Sequence, residues 1–493
     1  MYALDDDVGA PPAMKHTQLK RLLAACAQQG LTVTHPSATS WSVRLRGDDG
    51  AVDNDLAAEV LLPAGFPVEG KALQQLATLA ATRHPQGGHV CRCQASPDFH
   101  PGDGGVAIGS VAELADMVVP AAIGTDIHCG MRLHTLDVDA ERFMRHKAAI
   151  VGELSGHFFG GTRDVALSTA QFRALFADGL EGLATSLARG PRSGVFARLD
   201  LAAVREQQAR VFDGGVLAGS SAWMPAGLID NTLDVVRDDG LGTIGGGNHF
   251  VEMQVVDEVV DRSRAFQWGV RRGQLAVMIH SGSRHVGKHV GRIFAEKARR
   301  AWPTGLPYPR GELFGLSEKH TPELTADYIA AENAAGHYAF VNRLVLAELV
   351  RQTLQKHLGD VDMPLLYDVP HNLTRREQGR YVVRKGACPA HAEQPVIVPG
   401  SMGTSSYLAV GRGNDRYLST ASHGAGRAIT RHDMSRVKDL GLNDVECITP
   451  RAERRIEEAP AAYKPIAPVI DVQVAAGIVD VVARLRPLLT FKA

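Results

Sequence analysis

His423 lies in the run Ala421-Ser422-His423-Gly424-Ala425-Gly426-Arg427, a histidine set among small residues with an arginine close behind. Imidazole nitrogen is a competent nucleophile toward phosphorus. Glycine neighbours let a triphosphate approach the backbone closely, and the planar fork of Arg427 suits phosphate oxygens. The same string would also serve as a glycine-rich turn in which His423 only caps a helix, since short Gly/His runs are common in loops.

Five further residues have metal-ligand chemistry. Asp126 and Cys129 stand in Thr125-Asp126-Ile127-His128-Cys129-Gly130-Met131, and His249 closes Gly245-Gly246-Gly247-Asn248-His249. His280 ends the apolar run Val277-Met278-Ile279, and His371 follows Tyr367-Asp368-Val369-Pro370. One carboxylate, one thiolate and three imidazoles suit a borderline divalent ion such as manganese, zinc or iron. A thiolate can bridge two ions, and a two-ion centre can neutralise a triphosphate while activating attacking and leaving oxygens. Any one of these histidines, taken singly, would equally be a buried side chain satisfied by a backbone carbonyl. His128 reads as a residue that either lines the site or supports its ligands from behind. Cys91 and Cys93 form a C-x-C pair with no second pair to complete a zinc site, so they read as structural thiols.

These residues need a scaffold. The chain has 493 residues, 45% hydrophobic and 22% charged, with a formal net charge of -1. That is ordinary for a globular protein, and it gives no support to non-specific gripping of long nucleic acid, which usually needs excess Lys and Arg. Six cysteines in a chain this long are not a disulfide framework. No stretch has the length of a membrane span, and Met1-Tyr2-Ala3-Leu4-Asp5-Asp6-Asp7 is acidic where a signal peptide is basic, so the expected location is cytoplasmic. Residues 1–55 read as an extension of the fold, with a helix over Leu19–Ala27 and a strand over Ser40–Leu45, and residues 56–493 as the catalytic body. Periodicity predicts helices over Lys71–Thr82, much of 140–210, Asp327–Leu358 and Val469–Leu485. It predicts buried strands at Leu275–His280 and Met363–Val369, strands and glycine loops over Lys385–Arg427, and a loop-rich stretch from His89 to Met131. Strands and helices do not alternate regularly, so the expectation is α+β rather than doubly wound. There is no GxxxxGK[ST] phosphate loop, and Gly242 to Gly247 is not a GxGxxG fingerprint.

Six strings occur together and in order: Asp126-x-x-Cys129-Gly130-Met131, Gly245-Gly246-Gly247-Asn248-His249-Phe250, His280-Ser281-Gly282-Ser283-Arg284, His371-Asn372-Leu373, Pro399-Gly400-Ser401-Met402-Gly403-Thr404 and Ser422-His423-Gly424-Ala425-Gly426-Arg427. In these the chain resembles the RtcB RNA ligases, from Pro97-Asp98-Phe99-His100-Pro101-Gly102 to the final Phe491-Lys492-Ala493. The resemblance implies a large composite α+β body with two manganese ions in a deep cleft. It implies joining of RNA ends bearing a 3'-phosphate or 2',3'-cyclic phosphate to 5'-hydroxyl ends, with GTP consumed, in RNA repair or tRNA splicing. His423 would be guanylated, Cys129 would bridge the ions, Asp126 and His249 would complete one ion site, and His280 and His371 the other. Asn248 would touch phosphate, and Glu252, Ser401, Ser406, Tyr463 and Lys492 would surround the nucleotide. Arg284, with Arg427 as backup, would suit the terminal RNA phosphate or equally a loop-stabilising ion pair. An archease-like activator is an implied partner.

Two departures stand out. The family usually has glycine where His128 stands and an aromatic residue where Asp103 stands. Two other readings keep part of this set: a guanylyltransferase that only caps a 3'-phosphate (or a phosphoesterase), and a non-catalytic paralogue that binds RNA ends.

Overall fold

The computed structural model describes residues 14, 16–46, 56–231, 235–442 and 445–493. The acidic run Met1–Asp7 and the boundary near residue 55 lie outside the described residues. Two large sheets and a set of packed helices make an α+β body. The first sheet has seven strands, in the order Leu31–Ser37, Ser40–Leu45, Ala58–Leu61, His89–His100, Ile108–Ala115, Arg380–Lys385 and Asn372–Glu377. The helix His16–Gln28 and the first two strands thus continue one edge of that sheet.

The second sheet carries the chemistry. Its order is Leu365–Pro370, Gly130–Asp139, Gln274–Ser281, Phe250–Val259, Val479–Phe491, Ser406–Gly411 and Pro395–Val398, with Cys447–Ile448 alongside the long strand Val479–Phe491. Gln274–Ser281 is buried at every position, as expected of a central strand covered on both faces. All neighbours along the main path are antiparallel. Each strand's start therefore lies beside its neighbour's end.

Behind this sheet runs the 37-residue helix Pro322–Leu358, about 55 Å long at 1.5 Å per residue. Proline at its first turn and Gly359 (φ 78°) just past its end mark its limits. It is buried on nearly every side by the helices Ala140–Phe158, Thr169–Arg189 and Arg284–Ala301. A buried ion network ties it to the sheet: Arg343 Nη2 lies 2.7 Å from Asp368 Oδ1, and Arg132 Nη1 lies 3.1 Å from Asp368 Oδ2. Among the described residues no helix is long and apolar enough to cross a membrane.

Two expectations are corrected. The stretch from His89 to Met131 contains two paired strands, His89–His100 and Ile108–Ala115. The first is buried at seven consecutive positions, so it lacks the in-out alternation that marks a half-exposed strand. The helix predicted over Val469–Leu485 ends at Ala475, and the chain turns at Gly477 (φ 66°) into the strand Val479–Phe491. Val-rich segments fit either structure, and here the place between two sheet neighbours decides.

Candidate metal and nucleotide site

Antiparallel pairing brings the candidate ligands to one end of the second sheet. Cys129 immediately precedes Gly130–Asp139, and His249 immediately precedes Phe250–Val259. His280 sits at the end of Gln274–Ser281, and His371 just follows Leu365–Pro370. The register pairs Gly130 with Ser281 and with Pro370, and Phe250 with His280. The neighbouring strand ends at Phe491, opposite Val251, which delivers Lys492 to the same end.

The five donors form a continuous chain. Cys129 Sγ lies 3.1 Å from His249 Nε2 and 3.1 Å from His280 Nε2. His249 Nε2 is 2.9 Å from Asp126 Oδ2, and His280 Nε2 is 3.2 Å from His371 Nε2. The ligand atoms of Cys129, His249 and His280 all fall within 4.8 Å of one another, a buried group able to hold a metal ion. The thiol stands between a carboxylate/imidazole pair and an imidazole/imidazole pair. His249 Nδ1 donates to Ile244 O at 3.1 Å, and His280 Nδ1 donates to Asn248 O at 3.2 Å. Since a carbonyl only accepts, the His280 ring turns an Nε2 lone pair inward, as metal-binding imidazoles do, whereas His249 Nε2 faces the Asp126 carboxylate. Burial holds His280 and His371 well below the usual imidazole range, so they are neutral donors. Burial first, then the Asp126 charge, pushes the Cys129 thiol well above its usual value. A thiolate there requires a cation beside it, which fits the donor set to a metal.

His423 follows the short strand Thr420–Ser422, which pairs with Ala387–Pro389. Its ring centroid is 4.7 Å from that of His371. Asp98, on a strand of the first sheet, accepts from His423 Nδ1 at 2.5 Å and from the His423 backbone N–H at 3.2 Å. Asp98 is fully buried. Burial works against its ionisation, but the neighbouring His423 and the Ser96 hydroxyl outweigh it and hold the carboxyl below the usual range. The Nδ1 proton is thereby fixed, leaving Nε2 with the lone pair. In the sequence Asp98 stands in a proline-bounded string, and nothing local links it to a histidine 325 residues away.

A cleft of about 700 Å³ joins these groups, within the range of small-molecule sites. Asp126, Cys129, His280, His371 and His423 line it, together with Asn248, Glu252, Ser401, Tyr463 and Lys492. Glu252 is buried, accepts from Gln254 Nε2 at 2.6 Å and from the Thr490 hydroxyl, and burial pushes it up to about 7. Lys492 lies over the Phe250 ring at 5.7 Å, and burial lowers its pKa. Tyr463 donates its hydroxyl to Glu458, a buried carboxylate that also binds Arg427 at 3.1 Å and Arg431 at 2.9 Å. Ser401 bonds Thr404 through its hydroxyl at 3.0 Å. Ser406 lies beneath the cleft wall rather than on it, where its hydroxyl accepts from Gly400 N at 3.2 Å and Gln254 Nε2 at 3.0 Å. Lys385, buried on the cleft wall with Nζ donating to Ile123 O at 2.8 Å, was not singled out from sequence.

Of four further residues, Arg427 and Asp103 line the cleft, and His128 and Arg284 do not. His128 is fully buried and lies off the cleft, its ring against Phe340. A left-handed backbone (φ 51°) turns its side chain toward the long helix while Cys129 faces the donors. Arg284 is also off the cleft wall and donates from Nε to Thr243 Oγ1 at 3.0 Å, bracing the glycine loop. Arg427 is on the wall but engaged by Glu458. Asp103 is exposed at the cleft and contributes a negative charge near Lys385.

With this geometry in place, the family model described as "tRNA-splicing ligase RtcB" matches residues 75–493. The chain belongs to the RtcB family. It is 34% identical over 437 residues to the RNA-splicing ligase RtcB of Mycobacterium tuberculosis, covering 81% of this chain and 96% of that one. It is 33% identical over 435 residues to the tRNA-splicing ligase RtcB of Archaeoglobus fulgidus (80% of this chain, 86% of that one). The corresponding protein of Pyrobaculum aerophilum is 30% identical over 437 residues, with the same shares. The match spans both large sheets apart from the outer strands before residue 75, and it takes in every residue lining the cleft except Glu69 and Lys71.

Proposed function

We propose that this RtcB-family chain is an RNA ligase that uses GTP and manganese to join 3'-phosphate or 2',3'-cyclic phosphate ends to 5'-hydroxyl ends. The observation that carries the reading is the Asp98–His423 pair beside the five-donor chain, with His423, Asp126, Cys129, His280 and His371 lining one cleft and His249 just behind its wall. The names of the relatives support RNA as the substrate class. In the first step His423 Nε2 attacks the α-phosphorus of GTP, a P–N bond forms, and pyrophosphate departs. Asp98 holds the Nδ1 proton throughout and stabilises the charge that develops on the ring. In the second step an oxygen of the RNA 3'-phosphate attacks the same phosphorus, the P–N bond breaks, and GMP is left on the RNA end. In the third step the 5'-hydroxyl attacks the RNA phosphate and GMP leaves; a cyclic end must first be opened by water.

Asp126, Cys129, His249, His280 and His371 would hold two manganese ions, whose charge would stabilise the phosphates. Asn248 and Ser401 would bind phosphate, while Glu252, Tyr463 and Lys492 would surround the guanosine and Ser406 would support that wall. The test is an RNA pair with 3'-phosphate and 5'-hydroxyl ends, incubated with GTP and Mn(II) and with each omitted in turn. Joined RNA only with both present supports the ligase. A guanylated 3' end without joining replaces it with end capping, and no RNA modification under any condition refutes it.

A further inference from the structure

The turn carrying Asp126 and Cys129 is gripped from its far side. His128 has φ 51°, a backbone region that favours glycine. Its ring meets Phe340 edge-on, with centroids 5.8 Å apart at 81°. One helical turn earlier, Gly336 leaves a notch: a Cβ there would lie 2.8 to 2.9 Å from Nδ1, Cε1 and Cγ of His128. The long helix therefore has glycine where the imidazole lodges.

Neither ring nitrogen has a hydrogen-bond partner, although the side chain is fully buried. Burying such groups unpaired is costly, so what the ring supplies is shape. The backbone around it is bonded on both sides. His128 N donates to Asn372 O at 2.8 Å, and His128 O accepts from Arg343 Nη1 at 2.9 Å. Asn372 Nδ2 donates to Asp126 O at 3.0 Å, Ser283 Oγ donates to Ile127 O at 2.5 Å, and His371 N donates to Cys129 O at 2.7 Å. A shift of the ring in its notch would move the segment between two donor side chains whose partners are fixed on other strands.

We propose that His128 is a positioning residue of the metal centre, its ring keyed into the notch at Gly336 so as to set how Asp126 and Cys129 face His249 and His280. The inference rests on the reading of those side chains as metal ligands. It assigns to this chain a ring-in-notch lock where a glycine-bearing turn has only backbone bonds.

The test titrates Co(II) and Mn(II) into the full chain and follows the Co(II)–thiolate charge-transfer band, a direct report on Cys129. His128→Gly removes the ring and relieves the left-handed strain together. It is expected to weaken metal binding by about tenfold or more, as loss of residues that orient ligands does, and to shift the band. His128→Asn, which tolerates left-handed backbone but lacks the ring, should behave alike and serves if the glycine variant folds poorly. Gly336→Ala should also weaken binding, yet add nothing in the His128→Gly background, because the notch is then empty. Unchanged affinity and band in His128→Gly and His128→Asn, or effects that simply multiply in the double variant, would overturn the proposal. A lower melting temperature with an unaltered band would overturn it too. A wild-type chain that gives no thiolate band would instead overturn the metal reading on which the proposal stands.

Discussion

Replacing Asp98 by Asn separates a held nucleophile from a merely buried histidine. The carboxylate is fully buried and accepts from His423 Nδ1, the His423 backbone and the Ser96 hydroxyl, the last at 2.5 Å. Asparagine keeps the size but removes the charge, replacing a charge-assisted bond of about 1.5–3 kcal/mol by a neutral one near 1 kcal/mol. If its amide N–H₂ faces the ring, Nδ1 becomes the acceptor, the proton moves to Nε2, and the nucleophilic lone pair is lost. In hydrolase His–Asp pairs that change costs about 10⁴-fold. The expected fall in histidine guanylation is therefore about 30-fold to 10⁴-fold, the lower figure if only the bond weakens, by about 2 kcal/mol. The assay is single-turnover transfer from α-labelled GTP at saturating Mn(II), with metal content measured on the same sample. No hydrogen bond links Asp98 to any of the five donors, so metal content should not change. A rate within about threefold of wild type, a difference worth less than 1 kcal/mol, would refute the reasoning. So would a loss of rate that merely tracks a loss of metal.

Cys129→Ser removes the central thiol of the donor chain, and Mn(II) binding measured by calorimetry should fall by at least about 100-fold; near wild-type binding would contradict the placement. Burial raises Glu252 to about 7 in the folded state from an ordinary 4.5. The folded chain then binds more protons than the unfolded one between those values, so stability declines as pH rises through that window, by on the order of 3 kcal/mol in total. Glu252→Gln should flatten the pH dependence of the melting temperature from pH 5 to 8; an unchanged slope would count against it. Arg343→Met leaves Asp368 with Arg132 alone and strips a donor from His128 O and Ser281 O. Breaking such a buried pair costs about 3–5 kcal/mol, visible as a lower urea midpoint, whereas an unshifted midpoint would show the network to be dispensable.

The donor side chains of the candidate site could be picked out in the sequence because they stand where strands meet polar or glycine-rich loops. His280 closes a strand whose every residue is buried, and the turn from Asp126 to Gly130 opens the neighbouring one. The long helix was legible from Asp327 to Leu358 by its periodicity, but its start at Pro322, five residues earlier, was not. What the sequence hid depends on contacts between distant segments. Asp98 becomes a partner of His423 only when the first sheet packs beside the short strand Thr420–Ser422. His128 looked like a neighbour of the thiolate and faces the opposite way, because a single positive φ inverts the side-chain direction. Val479–Phe491 continues a run of valines that began as a helix, and only its place in the middle of the second sheet makes it a strand.

The most direct test of the central claim is to incubate the chain with α-labelled GTP and Mn(II), digest it, and locate the label. The account predicts an acid-labile phosphoramidate on the peptide that carries His423, absent from His423→Ala. Label on another residue, label that survives acid, or equal labelling of His423→Ala would contradict it.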